Sequence, residues 1–226
     1  MHCTRPAVAS VALAILALAS SAQASFLYGF DRITSNAHTD IAPQLQMELL
    51  DQGGYVTLRF TDSVGTASSI TQIYVDNTNS GHTPVVLSGW YTTPILDHSG
   101  FGLVDFKQGA SPSNLPAAPK SFDADFSASA NNGSGGTVNH GVNMSGEWVD
   151  LNFKLLAGKT ANDVATAINN GSLQIGLHVQ GIQSCQGDAS DSFIIKPGPQ
   201  HEVPEPGSLL LLGGGLGAIA LKRPRR

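Results

Sequence analysis

Glu147-Trp148-Val149-Asp150-Leu151-Asn152-Phe153-Lys154-Leu155-Leu156 alternates apolar and polar residues from Trp148 to Leu155. A period of two matches a β-strand, whose successive side chains point to opposite faces, and not a helix, whose period is 3.6. Val149, Leu151, Phe153 and Leu155 are expected inward; Trp148, Asp150, Asn152 and Lys154 are expected outward. The same signature recurs on both sides of this run. In 54–61, Val56, Leu58 and Phe60 oppose Tyr55, Thr57 and Arg59. In 69–76, Ile70 and Tyr74 lie on the opposite parity from Ile73 and Val75. Residues 84–90 and 101–107 also read as strands. In 122–128, Phe122, Ala124, Phe126 and Ala128 face one way and Asp123 and Asp125 the other. Leu173, Ile175, Leu177 and Val179 share a face, and 192–196 reads as the last strand. Turn-forming residues separate these runs at 76–81 and 131–136, and a segment with three prolines does so at 111–119.

One helix interrupts the pattern. Thr160-Ala161-Asn162-Asp163 has the form of a capping box with an acid at the third helical position. Ala161, Val164, Ala165 and Ile168 make one apolar face, and Gly171 stands where the helix should end. About eight short strands and one helix predict an antiparallel β-sandwich, jelly-roll-like, over residues 25–203.

Composition agrees with strands and turns. Only 13% of residues are charged, while Gly, Ser, Thr and Asn are abundant. Of the 12 basic residues five lie in the two end segments, and of the 17 acidic residues only Glu205 does. The middle of the chain therefore carries seven basic and 16 acidic residues, a net charge of −9. Such a surface repels phosphate backbones and argues against a nucleic-acid partner. Of the two cysteines, Cys3 falls in the first segment, which leaves Cys185 without an intramolecular disulfide partner.

The ends read as addresses. Residues 1–24 follow the secretory plan: Arg5, an apolar run of 13 residues at 7–19, then Ala22-Gln23-Ala24, which predicts a mature chain starting at Ser25. The expected partners at this end are the secretion translocon and signal peptidase. At the other end, Val203-Pro204-Glu205-Pro206-Gly207-Ser208 is stiff and extended, because the prolines exclude helix. A 13-residue uncharged run follows, opening on Leu209 and closing on Leu221, and then Lys222-Arg223-Pro224-Arg225-Arg226. A span needs about 20 residues, so this transmembrane helix is short, and its basic end is expected in the cytoplasm. The middle of the chain then lies outside, in agreement with the signal peptide.

This order of Pro-Glu-Pro, short Leu/Gly span and terminal Arg cluster resembles the PEP-CTERM sorting signal of bacteria with exopolysaccharide-rich envelopes. The resemblance covers residues 204–226. It implies processing by exosortase, an integral-membrane cysteine protease or transpeptidase. Pro204, Glu205 and Pro206 would be the recognition motif, Leu209 to Leu221 the span, and Lys222, Arg223, Arg225 and Arg226 the basic stop. The alternative is a permanent C-terminal anchor. Ser69-Ile-Thr-Gln-Ile-Tyr-Val-Asp76, Gly176-Leu-His-Val-Gln-Gly-Ile182 and Ser190-Asp-Ser-Phe193 are also similar to stretches in many PEP-CTERM substrates, which implies a shared domain type and no reaction.

The residues between the signals show no catalytic constellation. Asp97-His98-Ser99 has the residue types of a hydrolase, but neighbours on an extended chain point apart, and a loop is the expected setting. None of the six histidines after residue 24 pairs at metal-ligand spacing, and His178 is expected on the surface or rim. Calcium is the one ion weighed as a cofactor, through Asp123 and Asp125 on one strand face and Asp188 and Asp191 in a loop; solvated carboxylates are the plainer reading. Trp90 and Trp148 are candidate glycan contacts, since indole rings stack on sugars. The expectation is a non-enzymatic envelope or matrix protein without a cofactor. It would be held briefly in the inner membrane with its body in the periplasm, then delivered to the outer surface or exopolysaccharide. A secreted carbohydrate-binding module and a secreted hydrolase are the alternatives.

Overall fold

The computed structural model describes residues 25–63, 65–78, 83–99, 103–130, 137–183, 187–198 and 201–203. Among them lie twelve strands: β1 (Ser25–Tyr28), β2 (Phe30–Arg32), β3 (Leu45–Asp51), β4 (Tyr55–Asp62), β5 (Ser69–Asp76), β6 (Leu87–His98), β7 (Phe106–Gln108), β8 (Phe126–Ala130), β9 (Trp148–Leu155), β10 (Gln174–Ile182), β11 (Ala189–Ile195) and β12 (His201–Val203). Two α-helices, α1 (Thr137–His140) and α2 (Ala161–Asn169), and one turn of 3-10 helix (Ala42–Gln44) complete the described set.

The strands form two six-stranded sheets. The first runs β12-β1-β3-β4-β9-β6 and the second β2-β11-β10-β5-β8-β7, with every pair antiparallel. The protein is thus mainly antiparallel β with few helices. The chain changes sheet often, first at Gly29 between β1 and β2.

The predicted inward residues meet in one core. Val149, Leu151 and Phe153 of β9 join Val56, Leu58 and Phe60 of β4 and Met47 and Leu49 of β3. They pack with Ile73 and Val75 of β5, Leu177 and Val179 of β10, and Phe193 of β11, in the second sheet. Each such side chain stabilises the fold by about 1.5–3 kcal/mol relative to exposure.

Helix α2 follows its sequence signature. Thr160 Oγ1 accepts from the Asp163 amide, and Asp163 Oδ2 accepts from the Thr160 amide at 2.9 Å. The Thr160 hydroxyl, donating to Asp163 Oδ2 at 2.8 Å, and then the Thr160 amide hold the Asp163 carboxyl below its usual range. Gly171 takes a φ of +77°, which ends the helix. Ala161, Val164, Ala165, Ala167 and Ile168 are buried against the core.

Four strands depart from expectation by being present at all. β1, β2 and β12 have four residues or fewer, too short for alternation to register. β3 does alternate at Leu45, Met47 and Leu49, but Leu50 breaks the polar parity. The strand expected at 101–107 is confined to Phe106–Gln108, and that expected at 84–90 runs on to His98. Asp97 and His98 therefore lie on a strand and not in a loop, with only Ser99 beyond it.

The 122–128 run is divided by tertiary packing. Phe126 and Ala128 serve the main core, whereas Phe122 and Ala124 join Tyr74, Leu115, Ile33 and Ile194 in a second cluster. Tyr74 lies on the outer face of β5, so residues 111–122 pack across the outside of the second sheet. This explains why both parities of β5 are buried. Tyr74 Oη donates to Gln72 Oε1 at 2.9 Å, and burial pushes its pKa up to about 12.

Candidate functional site

The edge of the first sheet holds both ends of the described chain. Ser25 pairs with Val203, Phe26 with Glu202 and Leu27 with His201. On its other flank Ser25 pairs with Leu50 of β3. Val203 is the last described residue of this strand, and the next residue in the sequence, Pro204, carries no amide hydrogen. Ser25 is thus placed by the structure. Ala22, Ala24, Pro204, Glu205, Pro206, Leu209, Leu221, Lys222, Arg223, Arg225 and Arg226 lie outside the described residues, as does Cys185. No helix among the described residues is long and apolar enough to cross a membrane.

The aromatic residues of the first sheet are occupied by one another. Trp90 turns toward the core, stacked on Phe153 at 4.6 Å between ring centroids and edge-on to Phe126 at 5.6 Å. Trp148 does face outward. The Arg59 guanidinium sits over its ring at 4.2 Å, and the His98 ring stacks on it at 5.5 Å. Because β4 and β6 flank β9 on opposite sides, the indole is held between these two groups. Arg59 is fixed in turn by Asp150 through bonds of 2.8 and 2.9 Å. Tyr55 and Tyr91 stack on each other at 3.9 Å. A sugar platform needs an open ring face. Trp148 carries Arg59 and His98 against its ring and Trp90 faces inward, so the structure does not bring these two residues together on one surface.

The hydrolase-like residues are likewise committed to structure. Asp97 Oδ2 accepts from the Phe106 amide, Ser99 Oγ from the Val104 amide, and His98 lies on Trp148. Three sequence neighbours thus serve three separate partners. Elsewhere, Ser192 Oγ lies 3.5 Å from His178 Nδ1, and Gln180 Nε2 lies 3.4 Å from His178 Nε2. The first separation is long for proton transfer, and Ser192 is only 1% exposed. His178 is half-buried, a rim position, and burial lowers its basicity against the opposing pull of Asp191.

The carboxylates weighed for calcium separate into two groups. Asp125 Oδ2 accepts from the Asn77 amide at 2.7 Å, and Asp76 Oδ2 accepts from the Asp123 amide at 3.1 Å. Burial, then the charges of Asp76 and Asp123, raise the Asp125 pKa. These acids clamp the end of β5 to the segment before β8. Asp191 instead accepts from Arg32 Nη2 at 2.6 Å, Thr34 Oγ1 at 2.7 Å, and the Asn36 and Ala37 amides. Asp188 lines an open cleft of about 510 Å³ with His38, Thr66 and Gln183. Among the described residues no group of three His, Cys, Asp or Glu has a metal-holding arrangement.

Sequence inspection missed the most perturbed carboxyl. Asp62, 2% exposed at the end of β4, accepts from Gln44 Nε2 and from Ser68 Oγ, both at 2.8 Å. Burial pushes its pKa up to about 6 against those two hydrogen bonds. Gln44 also bonds the carbonyl and amide of Thr66, so the cluster pins the loop between β4 and β5. Its members are separated in sequence, and no local pattern announces them.

Comparison with known proteins bears on the C-terminal edge. A family model described as the PEP-CTERM protein-sorting motif matches residues 202–226, so the match begins within β12. No curated protein and no solved structure matches the chain. The chain carries the PEP-CTERM protein-sorting motif at its C-terminal end, which marks it as an exported protein processed by an exosortase.

Proposed function

We propose that residues 25–203 are a non-catalytic passenger. It is released from its signal peptide at Ser25, held transiently through the span from Leu209 to Leu221, cut near Pro204–Pro206, and delivered to the outer surface or exopolysaccharide. Lys222, Arg223, Arg225 and Arg226 would hold the inner side of the membrane by the positive-inside rule. The two-sheet arrangement is read as a jelly-roll-like sandwich whose role is to be carried and displayed.

The observation that carries this reading is the position of β12. β12, His201–Val203, pairs with β1 at the edge of the first sheet, and the sorting-motif match at 202–226 begins within it. The functional groups inside the fold support the same view, since Ser192, His98, Trp148 and Asp191 are spent on internal contacts.

Intact-mass analysis of the secreted and membrane fractions tests it, in a host with the sorting enzyme, with and without residues 204–226. The full-length protein should lose both ends, and the truncated one should accumulate elsewhere. A secreted form still ending at Arg226 would remove the sorting step.

A further inference from the structure

One wall of the cleft that His38 and Asp188 share is held by a buried carboxyl. Gly65, Thr66 and Ala67 form that wall. Gln44 grips it by the backbone: its Oε1 accepts from the Thr66 amide at 3.0 Å and the Gly65 amide at 3.4 Å. Gln44 Nε2 has three acceptors in reach, Asp62 Oδ1 at 2.8 Å and the Thr66 carbonyl and Ser68 Oγ, both at 2.9 Å. Ala67 is tied in turn to the end of β10, its carbonyl accepting from the Gln183 amide at 3.0 Å.

Counting hydrogens shows what the protonation of Asp62 changes. A carboxamide brings two N–H hydrogens and a hydroxyl one. With Asp62 ionised, these must serve both carboxylate oxygens, which leaves a single hydrogen for the Thr66 carbonyl. The Ser68 hydroxyl then donates to Asp62 Oδ2 at 2.8 Å, and the Thr66 carbonyl lies 3.3 Å from it. The charge is also buried among neutral partners, which is costly. Protonation adds the missing hydrogen. The carboxylic O–H donates to Ser68 Oγ, the Ser68 hydroxyl turns to the Thr66 carbonyl, and the Gln44 N–H groups stay on Asp62 Oδ1 and Thr66. Each polar atom of the cluster then has its partner.

We propose that Asp62, Ser68 and Gln44 form an acid-tightened latch: protonated, the cluster grips residues 65–68 and firms the cleft wall; ionised, it gives up the Ser68 hold on Thr66 and the wall loosens. The latch is independent of the sorting role. Burial pushes the Asp62 pKa up to about 6, so the grip is present in acid and lost as pH rises through that value. Among the described residues no charged side chain bonds to Asp62. Its ladder partner on β3 is Leu45. Asp40, ahead of the 3-10 turn that carries Gln44, accepts from the Ala42 amide, and Glu147, ahead of β9, accepts from the Asn143 and Met144 amides. His38 and Asp188 titrate on the cleft side and serve as controls.

Amide hydrogen exchange of the full-length chain at about pH 5 and about pH 7.5, corrected for the intrinsic pH dependence of exchange, tests the latch. In wild type, protection of the Gly65 and Thr66 amides should fall by about fivefold or more at the higher pH, the equivalent of one hydrogen bond, while Leu151 and Phe153 of β9 keep theirs. Asp62→Asn presents an N–H to Ser68 Oγ as the protonated acid does, and should hold the acid level of protection at both pH values. Ser68→Ala should show the lower level at both. His38→Gln and Asp188→Asn should keep the wild-type response. Equal protection at the two pH values in wild type overturns the proposal. So does a response that survives in Asp62→Asn, or one that vanishes in His38→Gln or Asp188→Asn, because a cleft group would then carry it.

Discussion

Arg32 Nη2 lies 2.6 Å from Asp191 Oδ2, an ion pair that spans 159 positions of sequence and joins β2 to β11. Asp191 is fully buried at its side chain, and Arg32 is 13% exposed at its own. Arg32 also donates to the Ala37 carbonyl, and the same carboxylate holds Thr34, Asn36 and Ala37. One acid thus organises the whole turn after β2. Asp191→Ala should cost about 3–5 kcal/mol, since it leaves a nearly buried guanidinium without its counter-charge. Urea unfolding measures this; a loss below about 1 kcal/mol would mean that the pair is dispensable.

Asp62 and Asp191 should tilt the pH profile in opposite directions. Burial raises Asp62 from 3.8 to about 6, so the folded state favours its protonated form. Its contribution is full below about pH 4 and is lost as pH rises through about 6, amounting to about 3 kcal/mol. Asp191 is held below 3.8: burial opposes ionisation, but the Thr34, Asn36 and Ala37 hydrogen bonds and the Arg32 charge outweigh it. Its contribution is present above about pH 4 and is lost as pH falls. Melting temperature followed from about pH 3 to 8 should flatten between about pH 4 and 6 in Asp62→Asn and below about pH 4 in Asp191→Asn. Unchanged profiles would refute both assignments.

Tyr28 is 0% exposed, and its hydroxyl has no hydrogen-bond partner among the described residues. Burial pushes its pKa up to about 12. Removing an unsatisfied buried hydroxyl relieves its desolvation penalty, so Tyr28→Phe should leave stability unchanged or raise it by about 1 kcal/mol. A clear loss in calorimetry would reveal a partner for that oxygen.

Two glycines permit close approach, with different consequences. A methyl on Gly141 would meet Ser69 Oγ and the Ile70 carbonyl, and Ile70 is bonded in both directions to Val142. Gly141→Ala should cost about 1–3 kcal/mol because backbone must move. A methyl on Gly176 would come within 2.5 Å of Leu115 Cδ2, the side chain that docks residues 111–122 on the second sheet. Gly176→Ala should chiefly speed amide exchange in 109–125. Equal protection there in variant and wild type would show that Leu115 adapts in place.

Trp148 should behave as a structural residue. Trp148→Ala loses the Arg59 and His98 contacts and should destabilise by about 1 kcal/mol. Retention on envelope polysaccharide columns should not change. Weakened retention with unchanged stability would support the glycan reading.

How much was legible depended on whether a signal was local. The inward faces of β9 and β4, the capping box at Thr160 and Asp163, and the stop at Gly171 each follow from residues within one element, whereas Thr57, Asp150 and Asn152, expected outward, are buried by their neighbours. The sorting motif was legible for the same reason, being a run of residues in fixed order. The 122–128 run misled because its alternation continues across a point where the chain leaves the sheet and Phe122 finds another cluster. β1 and β12 carry too few residues to show a period; they exist because each satisfies the backbone groups of the other.

From sequence alone came the strand-rich character, the inward and outward faces, and the sorting address, because alternation, capping and motif order are properties of neighbouring residues. Only tertiary structure decided that Ser25 meets Val203, that Arg32 meets Asp191, and that Arg59 and His98 meet Trp148. The physical reason is that apolar burial is non-directional: it specifies which face turns inward, while the choice of partner strand is made by backbone hydrogen bonding and packing over the whole chain.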